Sequence, residues 1–201
     1  KNKILREYQE KPSLLEMLPS YNDKMAELGG KLIFMRNAYV KLLASAAEAV
    51  CGEVSGGADR LLIRYCSLSN IADTSLSEKE LSDLIREHQR DHRQAELASM
   101  TCLSGPHKDD IAICINGKPA KIYASQGQIR SAVLSLKLAE RDIFFRDSGE
   151  YPALLLDDVL SELDPGRQSF VLNKISGGQV FITCCSVDKD AAFLSGNKYI
   201  V

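Results

Sequence analysis

A chain of 201 residues, 45% hydrophobic and 26% charged, has the composition of a folded protein of one large domain or two modest ones. Its net charge of −2 gives no bulk electrostatic argument for nucleic-acid binding. No apolar run approaches membrane-spanning length, no signal-peptide pattern opens the sequence, and six cysteines without paired metal spacing point to reduced thiols in a cytoplasmic protein.

Residues 1–97 read as mostly helical. The spacing of Met25, Leu28, Leu32, Met35, Tyr39, Leu42 and Leu43 predicts a long helix over 22–51 with those side chains on one face. Gly29-Gly30 inside it costs helix stability, so a kink or a close contact is expected there. The glycines of 52–57 end the element, and 61–67 is apolar and aromatic enough for a strand. A second helix is expected over 77–94, opened by a capping box of Ser77 and Glu80 and burying Leu81, Leu84 and Ile85. His88 and His92 lie four apart on it, a zinc-compatible spacing, but with no third ligand nearby a solvated helix face is the expectation. Arg86, Arg90 and Arg93 form a stripe that could touch phosphates, although Glu87 and Asp91 favour an ordinary charged face.

From residue 98 the pattern changes to alternating strands and helices, the grammar of an α/β domain. Gly105-Pro106-His107-Lys108-Asp109-Asp110 sets a histidine beside two acids, which invites a metal-dependent nuclease reading. Consecutive acids on an extended strand face opposite ways, so a structural and interdomain role, touching the nucleotide-binding region, is preferred. Ile111, Ile113 and Ile115 alternate, Asn116-Gly117 supplies a hairpin turn, and 121–123 should be the return strand. Ser125 and Gln128 form a second capping box, opening an apolar helix to about residue 145. Gly127 lets a ligand approach the backbone, and the helix N-terminus is an anion site in waiting.

The apolar run 154–156 predicts a buried parallel strand, and it stops at Asp157-Asp158. Ligands of open α/β sheets sit beyond strand carboxyl ends. In a nucleotide hydrolase the first acid holds Mg²⁺ and the next orients the attacking water; the plainer alternative is a strand followed by an N-cap. Asp164-Pro165 opens another helix, Gly177-Gly178 stops it, 180–183 is a further strand, and 199–201 could be a last edge strand. The helices are too short for sustained heptads, which weighs against an SMC-like scaffold.

Ser125-Gln126-Gly127-Gln128 followed by Leu154-Leu155-Leu156-Asp157-Asp158 and Ser161-Glu162-Leu163-Asp164 resembles the signature, Walker B and D-loop series of ABC-type ATPases. With the 105–110 motif (Lys108 standing for Arg), Ile115-Asn116-Gly117-Lys118, the run 135–140, Ala26-Glu27-Leu28-Gly29-Gly30 and Ile63-Arg64-Tyr65, nearly the whole chain is similar to the RecF family. The resemblance implies an α/β fold: 98–201 as the C-terminal part of an ABC ATPase domain, and 1–97 as a mostly helical inserted lobe. No G-x-x-x-x-G-K-S/T is present, so the resemblance also implies a fragment without the N-terminal P-loop segment, inactive as an ATPase alone. It further implies ATP and Mg²⁺ as cofactors and an ATP-dependent homodimer. Ser125, Gly127 and Gln128 would meet the γ-phosphate in trans, Asp157 would hold the metal, Asp158 would position water, and Asp164 would reach across the dimer seam. The implied partners are gapped DNA with single-strand/double-strand junctions and RecR and RecO-type mediators, in recombinational repair, replication restart and recombinase loading. Cys184 stands where many ABC ATPases have a γ-phosphate-sensing His, and Asp158 where Glu is commoner; both departures imply slow hydrolysis. The rival readings are an SMC-like scaffold and a metal-dependent nuclease.

Overall fold

The computed structural model describes residues 1–160 and 163–183. Cys184 and the expected strand at 199–201 lie outside the described residues. Two compact units form, one of Lys1–Leu42 with Ile63–Ala112, the other of Leu43–Leu62 with the described residues from Ile113 onward. In chain order the elements are α1 (Asn2–Glu7), α2 (Leu18–Val54), β1 (Leu61–Cys66), α3 (Glu78–Asp91), α4 (Arg93–Ser99), β2 (Asp110–Ile115), β3 (Lys118–Pro119), α5 (Ala120–Tyr123), α6 (Gln126–Ser148), β4 (Leu154–Asp157), α7 (Pro165–Lys174) and β5 (Val180–Thr183). Strands pair in the order β1-β2-β3, and β4 pairs with β5.

In the first unit, α2 buries a stripe other than the expected one. Ala26, Ile33 and Val40 are buried, while Leu28, Leu32, Met35 and Tyr39 stay exposed. Helical spacing serves either stripe equally well; the small residues decide, because they let a neighbouring helix come close. A Cβ on Gly30 would stand 2.6 Å from the Glu78 carbonyl oxygen and 2.7 Å from the Ser82 nitrogen, and one on Gly29 would stand 2.9 Å from Ile85 Cδ1. The glycine pair therefore answers a close contact with α3. That helix starts at the expected capping box, with the Ser77 hydroxyl accepting from the Glu80 N–H and Glu80 accepting from the Ser77 N–H. Leu81 and Ile85 are buried and Leu84 is half-buried. The expected single helix is broken at His92 (φ −96°, ψ 6°), whose ring Nδ1 lies 2.9 Å from the His88 carbonyl oxygen.

In the second unit, α6 supplies Leu134 and Leu138, β4 Leu154 and Leu156, and α7 Val171 to one core that also takes Val50 and Val54 of α2. Strands β4 and β5 run parallel, with Leu154 opposite Val180 and Asp157 opposite Thr183. The expectation of a fully buried strand needs correction at Leu155, which is 73% exposed: successive side chains leave opposite faces, and only one face meets this core.

The Asn116-Gly117 turn forms as expected, with φ of 51° and 77°, the two positive values of a type I′ hairpin. The return strand, however, is only Lys118–Pro119. Proline has no N–H to continue the ladder, and from there residues 120–123 turn into the short helix α5 instead of a strand. Helix α7 begins with Asp164 as N-cap and Pro165 at the first position, as its sequence required. Gly177 and Gly178, both at positive φ, follow it. Tyr151 packs against them, stacks on Phe145 at 4.1 Å and lies under the Arg141 guanidinium at 4.0 Å.

Two glycine substitutions separate close packing from helix propensity. Gly30→Ala should lower stability by ~1–3 kcal/mol, since the added methyl meets backbone. Gly52→Ala, with nothing within 4 Å of its Cβ position, should raise it by ~0.5–1 kcal/mol. Urea denaturation checks both; a Gly30→Ala protein as stable as its parent would contradict the close contact.

Candidate functional site

The first turn of α6 is built by its own sequence. Ser125 has extended backbone (φ −68°, ψ 160°), its hydroxyl accepts the Gln128 N–H at 3.2 Å, and its own N–H donates to Gln128 Oε1 at 3.0 Å. The other end of the Gln128 amide donates to Asp59 Oδ1 at 2.7 Å. Ser125 is exposed and Gly127 half-buried, so the turn faces outward at the positive end of a 23-residue helix. A nitrogen of the Arg167 guanidinium lies 3.5 Å from the place a Cβ on Gly127 would take. Arg167 is in turn held by Asp164, which accepts its backbone N–H at 3.1 Å and stands 3.4 Å from its Nε. Gly127 and Asp164 thus meet through one arginine that the sequence reading missed. Its signal was available: three residues after an N-cap aspartate, Arg167 sits where the capped N–H must be.

The acidic strand end is the second group. Thr183 Oγ1 donates to Asp157 Oδ1 at 2.5 Å, and the Asp158 N–H donates to Thr183 Oγ1 at 2.9 Å and to the Thr183 carbonyl oxygen at 3.2 Å. Asp158 sits at φ 51°, in the left-handed region that aspartate enters more readily than most residues, so the chain bends between the two acids. Asp157 is exposed and Asp158 half-buried. Hard carboxylate oxygens of this kind suit a Mg²⁺ ion that takes its remaining ligands from phosphate and water. Among the described residues no group of three or more His, Cys, Asp or Glu side chains could cage a metal by itself. Thr183 was also missed; the parallel register that sets it opposite Asp157 is its only signal.

The 105–110 motif is structural. Asp109, with its side chain 2% exposed, accepts from the Tyr65 hydroxyl and from Ser67 Oγ at 2.7 Å, and lies 3.7 Å from Arg36. Arg36 also donates to the Pro106 carbonyl at 2.8 Å. Burial, then the hydrogen bond to Asp109, pushes the Tyr65 phenol well above its ordinary range. Asp110 is exposed, and its carboxylate accepts the Ile111 N–H at 2.8 Å. One acid is spent on protein donors and the other points to solvent, so the pair does not converge on a metal.

His88 overturns the expectation of a solvated face. It is buried, its Nδ1 is 2.7 Å from Ser104 Oγ, and its ring stacks on His92 at 3.8 Å. Burial first, and His92 second, push its pKa down. Arg86 pairs with Asp83 at 2.7 Å and Asp23 at 3.6 Å, in keeping with an ordinary charged face.

No family model matches the chain. Curated relatives do: the DNA replication and repair protein RecF of Enterococcus faecalis is 38% identical over 190 residues, 94% of this chain and 51% of its own. That of Desulforamulus reducens is 38% identical over 184 residues, 91% of this chain and 49% of its own. A solved structure of the recombination mediator protein RecF with ATP, in the RecFOR pathway, superposes with a TM-score of 0.82 at 34% identity, over 94% of this chain and 50% of that one. A second, RecF-ATPrS, gives 0.80 at 32%. The chain spans about half the length of the curated relatives it matches.

The two acids of the 105–110 motif should respond differently to truncation. Asp109→Ala leaves the Tyr65 and Ser67 hydroxyls without their acceptor and should cost ~1–3 kcal/mol. Asp110→Ala should stay within ~0.5 kcal/mol. Chemical denaturation reads both, and a stable Asp109→Ala protein that had lost Mn²⁺ binding present in the parent would restore the nuclease reading.

Proposed function

Because the chain belongs to the RecF family, we propose that it is the signature- and Walker B-bearing part of an ATP-dependent recombinational repair protein. What supports this most is one observation. A single unit carries both an outward-facing capped helix turn, Ser125 to Gln128, and an acid pair at the end of a parallel strand, Asp157-Asp158, built around one core. The first suits phosphate oxygens and the second suits their divalent counter-ion.

In this reading residues 98–201 are the C-terminal part of the ATPase domain and 1–97 the inserted helical lobe. The P-loop, absent from this sequence, comes from elsewhere in the protein. ATP joins two protomers. Ser125, Gly127 and Gln128 of one offer a hydroxyl and backbone N–H groups to the γ-phosphate held by the other. Asp157, its carboxylate fixed by Thr183, would hold Mg²⁺, which would neutralise phosphate charge. Asp158, bent away by its left-handed backbone, positions the attacking water. Asp164, held by Arg167 beside Gly127, faces the seam. The dimer holds gapped DNA at single-strand/double-strand junctions and hands it to RecR and RecO-type mediators for recombinase loading. The protein does this work in the cytoplasm. Among the described residues no helix is long and apolar enough to cross a membrane.

Two measurements test the reading. Calorimetry of the 201-residue chain with MgATP should show no stoichiometric binding, because a helix N-terminus alone is a weak anion site. A chimaera that adds the unmatched half of the Enterococcus faecalis relative should bind ATP and hydrolyse it slowly. In that chimaera Asp158→Asn should cut turnover ~10²–10⁴-fold and leave nucleotide binding intact. Micromolar stoichiometric binding to the chain alone, or parental turnover in Asp158→Asn, would defeat it.

A further inference from the structure

The nucleotide-facing turn is tied to the rest of its unit by a residue outside every motif. Asp59 lies between α2 and β1 and is 8% exposed. Its Oδ1 accepts two side-chain amides, Gln128 Nε2 at 2.7 Å and Asn116 Nδ2 at 3.1 Å. Its own N–H donates to Ser55 Oγ at 3.0 Å, anchoring the loop to the end of α2. Asn116 closes the other side: its Oδ1 accepts the Arg60 N–H at 2.8 Å, and its N–H donates to the Arg60 carbonyl at 3.0 Å.

Gln128 has only one way to serve both neighbours. Its Oε1 accepts from Ser125 N–H, so its nitrogen must point to Asp59. A glutamate caps helices equally well, yet here it would set a second carboxylate against the buried one. From this geometry we infer that Asp59 is a positioning residue for the 125–128 turn. It selects an amide at 128, fixes which way that amide points, and so fixes the turn on the unit that carries Asp157 and Asp158. The inference rests on the ATP-dependent reading for its purpose and on the hydrogen bonds alone for its geometry.

The test uses Gln128→Glu, Asp59→Asn and the double variant in the 201-residue chain, read by amide hydrogen exchange. The Ile129 N–H, bonded to the Ser125 carbonyl, reports on the turn, and the Leu138 N–H reports on the helix middle. Gln128→Glu should lower protection of Ile129 on the order of tenfold and leave Leu138 unchanged. In the double variant the amide introduced at position 59 can donate to the new carboxylate, so protection should return to within roughly threefold of the parent. Parental protection in Gln128→Glu, or no rescue in the double variant, would overturn the pairing. In the chimaera, Asp59→Ala should weaken ATP-driven association more than Leu81→Ala, a destabilising change in the other unit. If exchange behaves as stated and association does not change, the positioning geometry stands and the γ-phosphate role of the turn fails.

Discussion

Burial of Leu154 and Leu156 in one core with Leu134 and Leu138 is the contact on which the candidate site depends. Each such side chain removed from water contributes ~1.5–3 kcal/mol, so four of them outweigh any single polar contact in the unit. Their effect is geometric as much as energetic. A helix that begins at Ser125 and a strand that ends at Asp157 are joined by side chains in the middle of both, and neither end can drift alone. Val171 of α7 enters the same core, which sets Asp164 and Arg167 beside the start of α6.

The two ends so positioned have opposite electrostatic character. The start of α6 offers N–H donors, a hydroxyl and the Arg167 guanidinium. The end of β4 offers two carboxylates, that of Asp157 steadied by the Thr183 hydroxyl. A magnesium–nucleotide needs donors for its phosphate oxygens and oxygen ligands for its metal. A protein that supplies these from two copies makes assembly conditional on nucleotide, which is the behaviour proposed for this chain. The free thiols Cys51 and Cys102 take no part: burial pushes both up in pKa, as expected of cysteines that pack rather than react.

What could be read from the sequence is what short-range chemistry specifies. Ser77 with Glu80, Ser125 with Gln128, Asp164 with Pro165 and Asn116 with Gly117 each act within four residues, and each forms as read. What could not be read needs partners brought together by folding. Asp109 meets Tyr65 and Ser67 across more than forty residues, Asp59 meets Gln128 across 69, and Thr183 meets Asp157 across 26. The stripe of α2 failed for another reason. Periodicity locates a face but cannot say which of two faces is buried, and the large side chains of Leu28, Leu32 and Met35 suggested the wrong one. His88 failed likewise, because Ser104, the partner that makes its burial tolerable, lies beyond its helix. Pro119 was legible in principle: a residue with no N–H to give cannot extend a ladder, so the return strand had to be short.

In the proposed function the start of α6 touches the γ-phosphate of a nucleotide held by a second copy. Ser125→Asp and Ser125→Asn both keep a side-chain oxygen for the cap, so α6 should begin intact in either. Only the aspartate sets a like charge against the phosphate, and only its penalty should shrink as salt is added. Sedimentation of the completed chimaera with and without ATP compares them directly. ATP-driven dimerisation should fall far more for Ser125→Asp than for Ser125→Asn, whereas dimerisation of Ser125→Asp equal to the parent would reduce Ser125 to a helix cap and rule out the γ-phosphate contact.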